Sequence, residues 1–90
     1  MSENTVVFNG WNDYLEALRS GQIDHTNGIY RRVVYDSVYS DEPQVLEGEI
    51  EHSGDSFGRP FRLEDKWVIG WHVESKGRKI GHVKKIEVKQ

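Results

Sequence analysis

The run Lys66-Trp67-Val68-Ile69-Gly70-Trp71-His72-Val73-Glu74, with Ser75-Lys76-Gly77-Arg78 and residues 79–88 behind it, decides the fold. Its odd positions, Trp67, Ile69, Trp71 and Val73, are all apolar, the period-two signature of a strand with one buried face. Lys76-Gly77 is a two-residue turn, so the next segment folds straight back. The register this predicts sets Val73 opposite Ile80, Trp71 opposite His82, Ile69 opposite Lys84 and Trp67 opposite Ile86. A slip of one residue would set Trp67 against Glu87 and Ile69 against Lys85. The C-terminal third therefore reads as an antiparallel hairpin, with Gly70 and Gly81 marking a bulge or a tight bend inside its strands.

Working toward the N-terminus, residues 57–63 form a short predicted strand anchored by Phe61 and Leu63, which Pro60 confines to an edge or a strand start. Ser53-Gly54-Asp55-Ser56 reads as a turn or short loop. In residues 44–52, Leu46 and Ile50 share one parity while Val45, Glu47, Glu49 and Glu51 share the other, as in a half-buried antiparallel strand. Asp41-Glu42-Pro43 separates it from residues 29–39, whose Ile, Val and Tyr content suits a pleated surface. Neither parity there is cleanly apolar, which predicts a bulge. Residues 24–28 end in Asn27-Gly28 and read as a connection. Before them Trp11, Leu15 and Leu18 recur at i, i+4 and i+7 with Tyr14 alongside, a helical face over about residues 11–20. Gly21 is placed to end that helix, and Ile23 to fold back on its last turn. Thr5–Phe8 is a further β-prone run, stopped by Asn9-Gly10. The order predicts an α+β fold: a curled antiparallel sheet of four to five strands with one N-terminal helix. A small SH3-like or OB-like barrel is the variant. No repeat or linker divides the chain, so residues 1–90 read as a single domain.

The 90 residues are 36% hydrophobic and 30% charged, enough for one modest core, and no apolar run approaches a membrane span. The polar start Met1-Ser2-Glu3-Asn4 lacks the basic flank and apolar stretch of a secretory signal, so a cytoplasmic location is expected. With no cysteine, disulfides, thiol nucleophiles and cysteine-held metals are excluded.

Chemistry-bearing patterns are sparse. His25, His52, His72 and His82 show no HxH or HExxH spacing, and the predicted register puts His72 and His82 on opposite faces, so no metal site is expected. Ser53, Ser56 and Ser75 sit in turn contexts that account for them. The glycines form no phosphate-cradling motif. Paired carboxylates are plentiful, but a chain this small has little room for the dry cleft that raises a carboxyl pKa. The expectation is a protein that is not an enzyme and needs no cofactor.

The charge layout carries more. Residues 1–58 hold eleven acids against three bases, and residues 59–90 hold nine bases against four acids. Between Arg32 and Arg59 lie Asp36, Asp41, Glu42, Glu47, Glu49, Glu51 and Asp55 with no lysine or arginine among them. Alternate residues of a strand stand about 6.8 Å apart on one face, so Glu47, Glu49 and Glu51 would make a regular row of anions. Such a row suits a protein partner with a basic surface, and its spacing resembles that of nucleic-acid phosphates. The expected function is accordingly a stoichiometric inhibitor or adaptor that docks through these seven acids, one form of it being a mimic of nucleic-acid phosphates that blocks a nucleic-acid-binding protein. The alternative is a small barrel that binds single-stranded nucleic acid through Lys76, Arg78, Lys79, Lys84 and Lys85 on the last hairpin. Tyr30, Tyr35 and Tyr39 suggest an exposed edge with interface anchors. A monomer or weak homodimer is expected, since the acidic and basic halves are complementary.

Overall fold

The computed structural model describes residues 5–23, 29–52 and 60–89. In chain order these form β1 (Thr5–Phe8), α1 (Trp11–Arg19), β2 (Tyr30–Ser37), β3 (Pro43–Glu49), β4 (Glu51–His52), β5 (Phe61–Leu63), β6 (Lys66–Ile69), β7 (His72–Ser75) and β8 (Arg78–Lys89). The α+β class with one short helix and a curled antiparallel sheet is as expected; eight strands replace the anticipated four to five. The Asn27-Gly28 connection, the turn at residues 53–56 and the start of the strand at residues 57–63 lie outside the described residues.

The extra strands come from bends inside runs that read as continuous. The run at residues 66–74 is two strands, because Gly70 adopts φ 59° and opens a two-residue turn of Gly-X type. Val68 then faces Val73 across the β6–β7 ladder, and both are buried. The buried parity on β6 is thus that of Val68, while Trp67 and Ile69 stand half-buried on the opposite face. The expected Lys76-Gly77 turn is present, with φ values of 53° and 78°. Its first pairs, Ser75 with Arg78 and Glu74 with Lys79, keep the predicted register. A bulge between Val73 and Glu74 then shifts it by one, so that Val73 meets Gly81 and His72 meets His82.

The hydrogen-bonded order is β3-β2-β8-β7-β6-β5-β4, with β1 attached to β8. The two ends of this path, β3 and β4, are separated in the chain by Ile50 alone. The sheet therefore curls until its ends approach each other, and Ile50, fully buried, is the corner. Its N–H donates to the Ile29 carbonyl at 2.9 Å. Where β3 meets the β5–β6 turn, the Glu47 N–H donates to the Glu64 carboxylate at 2.6 Å. Strand β2 lies between β3 and β8, so the tyrosine-rich segment is not the edge it was expected to be; the predicted bulge falls between Val34 and Tyr35 against β8.

The concave face holds one core of Val33, Tyr35, Leu46, Ile50, Phe61, Leu63, Val68, Val73, Val83 and Ile86, onto which α1 places Tyr14, Ala17 and Leu18. Trp11 and Leu15 are only half-buried, so the face of α1 is rotated from the one the spacing suggested. Gly21, at φ 79°, ends the helix as expected, and Ile23 folds back with its N–H donating to the Ala17 carbonyl at 3.3 Å. Among the described residues no helix is long and apolar enough to cross a membrane.

Burial pushes the Tyr14 phenol above its ordinary 10.0, while the neighbouring Arg31 guanidinium opposes the shift. Burial also raises Tyr35, with help from the negative charge of Glu64. In the unfolded chain both ionise first, so the native state binds more protons at alkaline pH. Stability is then fully present below pH 10 and is lost as pH climbs from there through the raised folded-state values. Urea midpoints measured between pH 8 and 11.5 should fall in that window, and Tyr14→Phe should make the fall shallower. An identical slope in wild type and variant would remove Tyr14 from the account.

Candidate functional site

The convex face around β3 is built in cross-strand rows. Glu47 lies opposite Arg32 on β2, Arg32 opposite Glu87 on β8, and Glu87 opposite Val7 on β1. Arg32 serves both glutamates: its Nη1 donates to the Glu87 carboxylate and its Nε stands 4.0 Å from Glu47. The Tyr30 hydroxyl also donates to Glu47. In the next row Glu49 faces Tyr30, over whose ring the Lys89 ammonium sits at 4.5 Å. Lys85 lies 3.8 Å from Glu87. The pairing of β2 with β8 has thus interleaved the acidic and basic tracts, setting Glu47, Glu49 and Glu87 among Arg32, Lys85 and Lys89.

Glu47 and Glu49 point to solvent from one extended strand, as the alternation implied. Glu51 does not continue that strand; it follows the corner at Ile50 and pairs with Arg62 at 2.6 Å. Two of the three glutamates therefore carry an arginine counter-ion, which cancels much of the field an uncompensated row would project. Asp55 lies outside the described residues.

Asp36, Asp41 and Glu42 come together elsewhere, at the β2–β3 tip. All three are exposed, and among the described residues none has an ion-pair partner. The same tip carries the two most exposed large apolar side chains described, Val38 at 65% and Tyr39 at 75%, with Val45 on the adjoining strand at 44%. Serine hydroxyls order the loop. Ser37 Oγ accepts from the Tyr39 N–H at 3.0 Å, and Ser40 Oγ accepts from the Glu42 N–H at 3.2 Å and from Gln44 Nε2 at 3.2 Å. Gln44 also donates to the Glu42 carbonyl at 3.0 Å. Such local side-chain bonds hold a tip in one shape before anything binds.

This tip was partly legible in the sequence. Its acids and Tyr39 were candidates, but drawing the strand to residue 39 placed Val38 and Tyr39 in a ladder that ends at Ser37. Glu64, which accepts from the Glu47 N–H within β3, was missed; the unusual positive φ of Glu64 and Asp65, 51° and 71°, has no composition signal of the Asn-Gly kind.

The rival basic residues fall into two sets. Lys76, Arg78 and Lys79 are exposed at the β7–β8 tip and, among the described residues, have no ion-pair partner. Lys84 is exposed on β8, whereas Lys85 is tied to Glu87. His72 and His82 are directly opposite on β7 and β8, which corrects the expectation of opposite faces: the bulge at Val73 turns both to the same side. His72 Nε2 lies 2.9 Å from the Glu74 carboxylate. Among the described residues no group of three or more metal-ligating side chains is close enough to hold an ion.

Comparison with protein-family models, with curated proteins and with solved structures gives no significant match.

Proposed function

We propose that the chain is a stoichiometric protein-binding module, an inhibitor or adaptor, whose docking surface is the β2–β3 tip and whose partner presents a basic surface. The observation that carries this reading is the pre-ordered tip itself. Tyr39 and Val38 stand out from the surface at 75% and 65% exposure, ringed by Asp36, Asp41 and Glu42. An aromatic anchor with a rim of like charge is how interfaces combine affinity with orientation.

Within this reading Glu47 and Glu51 are structural, since each is held by an arginine. The same pairing argues against imitation of a phosphate backbone: regular spacing persists on β3, but the charge does not stand alone.

The test is capture from extract, with and without nuclease treatment, at 50 and 500 mM salt by three immobilised proteins. Wild type should retain a partner at the lower salt. Tyr39→Ala combined with Asp41→Lys and Glu42→Lys should lose at least about ten-fold of the capture, the scale of one aromatic hot spot plus two rim charges. Glu47→Lys with Glu51→Lys should keep most of it. Capture that disappears on nuclease treatment would transfer the function to the lysines of the β7–β8 tip.

A further inference from the structure

The two tips that carry uncompensated charge project from the same end of the sheet. Ser37 pairs with Gly81, and the Val38 N–H donates to the Ile80 carbonyl at 2.8 Å. The acidic β2–β3 tip thus stands beside the start of β8, and β8 begins at the basic β7–β8 tip. Asp36, Asp41 and Glu42 lie on one shoulder and Lys76, Arg78 and Lys79 on the other, with Val38 and Tyr39 on the acidic shoulder. Among the described residues no ion pair joins the two shoulders within the chain.

We infer that this end is a self-complementary surface whose occupant is a second copy of the same chain, related by a two-fold axis. A two-fold rotation brings each acidic tip onto the partner's basic tip, twice over, and draws the exposed Val38 and Tyr39 out of water. The charges are complementary without rearrangement, and the serine-ordered loop is already in shape. Two hairpin tips offer less area than the roughly 1,200 Å² at which stable interfaces begin, so the dimer is weak, with a Kd of about 0.1–1 mM, and sensitive to salt. This rests on the acidic tip being the docking site proposed above and adds its regulation: self-association at high local concentration covers the tip that a basic partner would use.

Sedimentation velocity at 1 mM protein tests it. At 20 mM salt wild type should sediment well above the 10.5 kDa of one chain, and at 500 mM salt close to it. Asp41→Lys/Glu42→Lys and Lys76→Glu/Lys79→Glu should each be monomeric at both salts, because every tip then meets like charge. Mixed in equal amounts, the two variants should regain the low-salt association, since each reversed tip now meets its opposite. Wild type that remains monomeric at 20 mM salt, variants that associate like wild type, or a mixture that stays monomeric would overturn the self-complementary surface. Capture of a basic partner at micromolar concentration is read separately, so loss of the dimer alone leaves the docking tip standing, and loss of capture alone leaves the dimer standing.

Discussion

Gly81→Ala should lower the melting temperature by about 12 °C or more, and Gly81→Val should leave little folded protein. A Cβ at position 81 would sit 2.3 Å from the Asp36 carbonyl oxygen, 3.0 Å from its carbon and 2.8 Å from Tyr35 Cδ2. The first two are backbone atoms of the neighbouring strand, so no rotamer change relieves the contact. Relief requires β2 and β8 to separate where Ser37 faces Gly81, and that pairing carries both the core face and the charged convex face. A cost of about 3 kcal/mol or more follows from overpacking that cannot relax. A 90-residue domain has only about 5–13 kcal/mol in total, and each kcal/mol moves its melting point by about 4–8 °C. Gly10→Ala is the control: its added methyl meets nothing nearer than 4.0 Å, and its effect should stay below about 1 kcal/mol. Calorimetry showing Gly81→Ala within about 3 °C of wild type would mean that β2 and β8 are not held this closely.

Gly81 also marks how far the sequence could be read. A glycine inside an alternating run signals a bend or a close backbone approach, and here the approach is that of Asp36. Gly70 gave the same signal with a different meaning: at φ 59° it reverses the chain. The odd-position apolar pattern of Trp67, Ile69, Trp71 and Val73 was so regular that a single strand explained it. Val68, also apolar, was the residue that mattered, since it faces Val73 across the turn. Periodicity fixes a parity only while the strand lasts, and a two-residue turn resets it.

The candidate surface was legible in one dimension and not in two. The exposure of Glu47 and Glu49 followed from alternation, and so did the burial of Leu46 and Ile50. The counter-ion did not: Arg32 meets Glu47 through the β2–β3 register and shares itself with Glu87 through the pairing of β2 with β8, a strand far along the chain. Charge counted along the sequence therefore overstated the charge on this face. At the β2–β3 tip, where no neighbouring strand brings a base into contact, the sequence count and the spatial one agree. That difference between a laddered strand and a loop is why Asp41 and Glu42 keep their charge uncompensated among the described residues while Glu47 and Glu51 do not.

Arg31→Ala should unfold the domain by about 3 kcal/mol or more, and Arg31→Lys should recover only part of that loss. Arg31 is fully buried, the sole charged side chain among the described buried residues. Its Nε donates to the Tyr14 hydroxyl at 3.3 Å and its Nη1 to the Tyr30 carbonyl at 3.1 Å, while the guanidinium carbon stands 5.9 Å from the Tyr14 ring centroid. One planar group thus joins the helix to the second strand. Truncation empties that volume and leaves the Tyr30 carbonyl without this donor, two of the mechanisms that give large losses. Lysine keeps the charge but is a point donor on a single stem, and it cannot span both acceptors in a fixed fork. Urea unfolding of both variants with Tyr14→Phe and the double variant Arg31→Lys/Tyr14→Phe separates the terms. A coupling energy of about 0.5–1.5 kcal/mol between positions 31 and 14 is expected for residues sharing a buried hydrogen bond. Additive losses would show that the arginine anchors β2 without reference to the helix, and a lysine variant as stable as wild type would show that charge alone, not the fork, is what this interior requires.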